Sequence, residues 1–214
     1  MSTPTPRSVK IGENERGGWT SERPPRPGEP ERPPRQADVS VRGRVLAPSD
    51  RMRYSPGSLV LVASPDRATR DAFLARVLED QNVLLSMGKV RALLQGRVGA
   101  EELEEKAQAL LDGAATKRLT AGQTVVVPLE TLGAEEREHY VRLAAPHRRP
   151  RHFVLVEVGK ANVAEEDREA MDELRRPLEA AGLGHEGFVT SLRLGGRTVE
   201  ELKRIVFAPP PADD

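Results

Sequence analysis

The sequence predicts a doubly wound α/β domain built on five parallel strands. Three observations carry that prediction. SLVLVAS, Ser58 to Ser64, is a continuous apolar run, as a strand buried on both faces requires. Four more short apolar runs follow it, and helical patterns separate them, the alternation that builds a parallel sheet with helical crossovers. The chain before Ser58 shows neither pattern and holds ten of the eighteen prolines.

The elements follow in order. ATRDAFLARVLED places Ala72, Phe73, Arg76, Val77 and Leu78 at helical spacing behind the first strand. NVLLS, Asn82 to Ser86, reads as the second strand. KVRALLQG is a short helix ended by Gly96, and Glu101 to Leu119 is a long one. QTVVVPL, Gln123 to Leu129, is the third strand, followed by a helix from Ala134 to about Ala145. RHFVLVEV, Arg151 to Val158, is the fourth strand. AEEDREAMDELRRPLEAAG is a helix with acids at its start and Gly182 at its close, as the helix dipole favours. FVTSLRL, Phe188 to Leu194, is the fifth strand, and TVEELKRIV a last short helix. The ending APPPADD, with 208–214 as its bounds, is a frayed tail.

Residues 1–38 form a Pro/Arg-rich segment, densest in SERPPRPGEPERPPRQ, that cannot bury enough apolar surface to offset the entropy of ordering, so it is expected to be disordered. It reads either as a solubilising tail or as a ligand for a groove on another protein, with Trp19 as a docking anchor. Residues 39–57 form a linker, in which VSVRGRVL has the alternation of a short edge strand. The domain proper is expected over 58–207.

Composition excludes several classes. There is no cysteine, hence no disulfide framework and no thiolate chemistry. No run of eighteen apolar residues occurs and MSTPTPRSVK lacks a signal-peptide core, so a cytoplasmic protein with no membrane partner is expected. Thirty-three basic residues balance thirty-three acidic ones. The balance is uneven along the chain: residues 1–57 carry eleven Lys/Arg against seven Asp/Glu. His139, His147, His152 and His185 show no metal-ligand spacing, and there is no G-x-S-x-G.

GSLVLV, KVRALLQG, LLDGAATKRLTAGQTVVVPLETLGAEERE and GHEGFVTSLRL, spread over Gly57 to Phe207, resemble the frame of the P-loop kinases of the polynucleotide 5′-kinase and zeta-toxin-like type. The resemblance implies the strand order 2-3-1-4-5. It also shows what is missing. An active member carries GxxxxGK[ST], whose glycines open an amide cradle, whose lysine reaches the terminal phosphates and whose hydroxyl holds Mg²⁺. At equal spacing this chain has Ala63 and Ala68 at the glycines, Thr69 at the lysine and Arg70 at the hydroxyl. The aspartate expected after the second strand falls on Gly88, and the acid that closes the third strand falls on Pro128. The arginine-bearing lid after the fourth strand is replaced by VEVGKANVAEED, with Lys160 its nearby cation.

The vestigial loop Ala63-Ser64-Pro65-Asp66-Arg67-Ala68-Thr69-Arg70 reads instead as a plain helix start, with Ser64 at the N-cap, Pro65 in the first helical position and Asp66 beside the positive end of the dipole. Three functions fit. The leading one is a catalytically inactive kinase-like module that binds an unidentified protein partner and no cofactor. The second is a phosphotransferase with a rebuilt site, in which Arg67, Arg70, Lys89 and Arg91 are the anion contacts of ATP, and Glu130 a ligand for its Mg²⁺; the plainer reading of these residues is a solvated helix face. The third is nucleic-acid binding through Arg42, Arg44, Arg51, Arg53 and HRRPRH (His147 to His152), set against an aromatic content of only 3%, which leaves few platforms for base stacking.

Overall fold

A computed structural model describes residues 51–209 apart from Ala181. The Pro/Arg-rich segment 1–38, Trp19, the alternating stretch VSVRGRVL and the last five residues lie outside the described residues.

The sheet forms around β2, Leu59–Ala63, whose LVLVA sequence is buried at every position. β3, Val125–Pro128, and β4, Arg151–Val156, flank it in parallel, with Leu61 opposite both Val127 and Phe153. β5, Thr190–Leu194, pairs in parallel with β4, giving the order β3-β2-β4-β5. Beyond β3, Leu84 bridges Val126 in parallel. Counted as the five expected strands, the order is 2-3-1-4-5.

The second of those strands is pared down to that bridge. Gln81–Val83 winds into a 3-10 turn capped by the Asp80 carboxylate, and only the Leu85 amide then reaches Val126 O, at 2.9 Å. The cause lies on the neighbouring strand. Val125 and Leu129 donate their amides to Ser58 O, just ahead of β2, and to Val62 O within it, so the alternate positions of β3 aim theirs at the other edge. There stands Pro128, which has no amide to give.

Helices cover both faces. On one, Leu59, Leu61, Val125, Val127, Phe153 and Leu155 pack against α2 (Met87–Leu94), α3 (Leu103–Thr120), α4 (Ala134–Ala144) and α5 (Glu165–Glu179). α3 presents Ala107, Leu111, Ala115 and Leu119, one residue per turn, as its buried stripe. On the other face, Val60, Val62, Val126, Val154 and Val156 meet Phe73, Leu74 and Val77 of α1, Arg67–Val77. Each such apolar side chain, fully buried, contributes about 1.5–3 kcal/mol relative to exposure.

That second face is finished by elements the sequence did not reveal. β1, Met52–Tyr54, pairs in parallel with β6, Ile205–Phe207, and Met52, Tyr54 and Ile205 are buried in the same cluster. The packed unit therefore starts six residues ahead of Ser58, inside the expected linker 39–57. The expected last helix is also divided: α6 covers only Arg197–Glu201, and the β-branched Ile205-Val206 pair goes to strand, where it packs on a pleated surface. Gly57 makes the turn into β2 at φ +76°, and a Cβ there would lie 2.7 Å from Gly122 O, so the close approach of two backbones requires glycine.

Candidate functional site

In doubly wound sheets, ligands bind at the carboxyl ends of the strands. Here that end carries the loop from Ala63 into α1. The N-cap is Asp66, in extended backbone, and Arg67 is the first helical residue. This corrects the expected helix start by two positions: Ser64 and Pro65 precede the cap. A carboxylate outcompetes a hydroxyl because it can accept from two amides at once. Asp66 receives Ala68 N–H at 3.2 Å and Thr69 N–H at 3.0 Å, and the Thr69 hydroxyl donates to it as well. Ser64 Oγ accepts the Asp66 amide at 3.2 Å. The hydroxyl bond from Thr69 is the main reason the Asp66 carboxyl is held below the usual carboxylate range; the two amides and the Arg70 charge add to it, against a smaller penalty from burial. The amides that would cradle phosphate at a helix start are engaged from inside the chain.

Beside this turn, arginines converge. Arg70 is only 3% exposed, because it shares the i, i+3, i+4, i+7 face of α1 with Phe73, Leu74 and Val77. Its guanidinium donates to Leu129 O and, through Nε, to Asp71 at 2.8 Å. Arg67 donates to Glu130 O at 2.9 Å. The Glu130 carboxylate then lies 3.2 Å from Arg67, 2.8 Å from Arg91 and 3.7 Å from Arg70. Arg91, on α2, also grips Glu104 through two nitrogens, and these two carboxylates hold its guanidinium firmly protonated. Lys89 makes none of these contacts and stands exposed on α2. Of the four expected anion contacts the fold gathers three, around the chain's own carboxylate. The solvated-face reading fails for Arg70, and the helical period of Phe73 and Val77 is the signal that marks it as buried.

Glu130 is itself fixed from behind. The Glu136 carboxylate accepts the amides of Glu130 at 3.0 Å and Thr131 at 2.8 Å, pinning the loop after β3. Three guanidiniums around Glu130 set a positive field that opposes a cation there, and no cluster of three or more His, Asp or Glu able to hold a metal occurs among the described residues. Gly88 sits in the first turn of α2 with open space around it. After β4, Lys160 opens a 3-10 turn, and Glu157 pairs with Arg175 at 2.8 Å and Arg193 at 2.9 Å.

The basic cluster His147 to His152 lies at the opposite end of the sheet, where β4 begins. Arg149 donates to Leu119 O at 3.1 Å and Arg151 to Gly187 O at 2.7 Å, and His152 is buried. Arg53 donates to Pro209 O at 2.9 Å. A cavity of about 570 Å³ opens at that same end, lined by Gly57, Asp80, Arg118, Thr124, Val206 and Phe207 among others. No helix among the described residues is long and apolar enough to cross a membrane.

No known family profile matches the chain, and no curated protein matches it. Among solved structures it is similar to a "putative kinase" from Chloroflexus aurantiacus J-10-fl, at 14% identity over 66% of this chain and 89% of the other, with a TM-score of 0.41. It is also similar to the tunicamycin resistance protein of Deinococcus radiodurans, at 15% identity over 72% of this chain and 99% of the other, with a TM-score of 0.40. The fold assignment of this chain, a doubly wound parallel α/β domain, stands on its own hydrogen-bond register.

Proposed function

We propose that this chain is a kinase-shaped module whose nucleotide site is closed from within, and that it works by binding a protein partner. One observation carries the reading: the Asp66 carboxylate takes the Ala68 and Thr69 amides at the start of α1. A phosphate approaching that turn meets amides already bonded and a negative charge, the latter a repulsion of about 1 kcal/mol or more at a partly exposed site. The loop Ala63 to Arg70 holds no glycine to open a cradle, and Thr69 stands where the lysine would reach the phosphates. Leu93 on α2 and Leu110 on α3 are the large apolar side chains left exposed among the described residues, and partner packing begins there. A cytoplasmic setting completes the proposal and suits a cysteine-free chain.

The test is a calorimetric titration of the unaltered protein with Mg-ATP. No saturable heat up to millimolar nucleotide is expected. Tight binding would overturn the reading and make the loop a working site.

A further inference from the structure

Arg67, Arg70 and Arg91 come from two helices and face one point, the Glu130 carboxylate. The arrangement is unusual in what holds it. Arg70 is anchored by Leu129 O and Arg67 by Glu130 O, both backbone carbonyls, and Arg91 by Glu104. None of these anchors is the Glu130 side chain. Glu136 fixes the Glu130 amide, so the backbone also stays put if the side chain turns away. Each guanidinium therefore keeps an anchor of its own besides its contact with the Glu130 carboxylate, to which Arg91 also donates at 2.8 Å.

Three guanidiniums meet three carboxylates here, Glu130, Asp71 and Glu104, so the cluster balances in formal charge but not in burial. Asp71 and Glu104, the other acids in the cluster, have side chains 61% and 65% exposed, where water and salt screen them. Glu130, 18% exposed, is the one acid that meets all three cations at close range. Arg70 and Arg91, with side chains 3% and 33% exposed, are the inner cations it meets, whereas Arg67 is 60% exposed and screened as those two acids are. A phosphate in place of the Glu130 carboxylate would offer these guanidiniums more acceptor oxygens, and guanidinium forks recognise phosphate oxygens two at a time.

We propose that Glu130 is an internal plug in an anion site, and that the site's ligand is a phosphate monoester group. The site uses guanidiniums only; it needs no metal and none of the α1 amides, so it stands or falls independently of the closed nucleotide cradle. Glu130 holds affinity low until a ligand displaces it.

The test is calorimetric titration with inorganic phosphate and with phenyl phosphate, without metal, above the second ionisation of phosphate. Glu130→Gln keeps the backbone anchors and removes the competing charge, so both probes are expected to bind about tenfold or more tighter than to the unaltered chain. Adding Arg91→Gln is expected to cancel the gain. Equal affinity in the unaltered chain and Glu130→Gln, or a gain that survives Arg91→Gln, would overturn the proposal. Should Glu130→Gln fail to fold, the unaltered chain decides: saturable phenyl phosphate binding lost in Arg91→Gln supports the site, and no saturable binding refutes it.

Discussion

Tyr54 and His152 lie with their rings 4.4 Å apart beneath the small β1–β6 sheet, and each hides a polar atom without a hydrogen-bond partner, the Tyr54 hydroxyl and His152 Nε2. His152 Nδ1 is satisfied by the Thr190 hydroxyl at 2.8 Å, whereas burial pushes the Tyr54 phenol well above its ordinary range. An orphaned buried hydroxyl costs about 1–3 kcal/mol of desolvation. Tyr54→Phe keeps the ring and removes that cost, so it is expected to raise stability by about 1 kcal/mol, read as a higher urea midpoint at constant slope. An equal loss would mean that the hydroxyl has a partner.

His152 makes the fold acid-sensitive. Burial lowers its pKa from 6.5 to about 4, so between those values the unfolded chain takes up a proton that the folded chain refuses. The associated stability is fully present above pH 6.5 and is lost as pH falls towards 4. The loss approaches about 3 kcal/mol at the low end. Urea unfolding across that window should show a shallower decline for His152→Leu than for the unaltered chain; parallel declines would acquit His152.

Asp66→Ala removes the cap of α1. A lost N-cap costs about 1 kcal/mol, and a matching fall in stability is expected. Thr69→Lys without that change should leave Mg-ATP unbound, since the carboxylate still engages the amides. Calorimetry on both variants separates the effects, and nucleotide binding by Thr69→Lys alone would show that the lysine was the only obstacle.

Arg137 is 4% exposed, holds Glu186 by two bonds of 2.8 and 2.9 Å, and donates to Leu132 O at 2.7 Å. Removing one member of a buried pair costs about 3–5 kcal/mol, less here because Glu186 is 20% exposed. Arg137→Ala should therefore destabilise by about 2–4 kcal/mol in denaturant titration. A change under about 1 kcal/mol would class the pair with surface bridges.

Gly88 offers the opposite sign. It lies in the first turn of α2 and a Cβ there meets nothing within 4 Å. Gly88→Ala is expected to stabilise by about 0.5–1 kcal/mol, read from the thermal midpoint.

Much of this architecture is legible in the sequence, for definable reasons. LVLVA announces a central strand because parallel sheets bury both faces, and the order of the strands accords with the resemblance of the frame. The failures are also physical. NVLLS has strand composition, but its pairing is limited by Pro128, some forty residues on, where local pattern has no reach. Met52–Tyr54 and Ile205–Phe207 are too short to show a period, and each is a strand only because the other exists. At the site, Arg67, Arg70 and Arg91 stand out by residue type, but their convergence on Glu130 depends on how α1, α2 and the loop after β3 meet in space.

The pairing of β1 with β6 sets a schedule for synthesis. Met52 and Tyr54 leave the ribosome early, yet their partners Ile205 and Phe207 come almost at the end of the described chain. Until then two large apolar side chains and one strand edge wait uncovered, and long-range parallel pairing is slow to close. Leu59–Ala63 can assemble with Val125–Pro128 and Arg151–Val156 in the meantime, so the central sheet precedes its cover. A chain stalled before Ile205 would expose Tyr54 and Met52 to chaperones and to other chains, and its fate in the cell would turn on a strand of three residues.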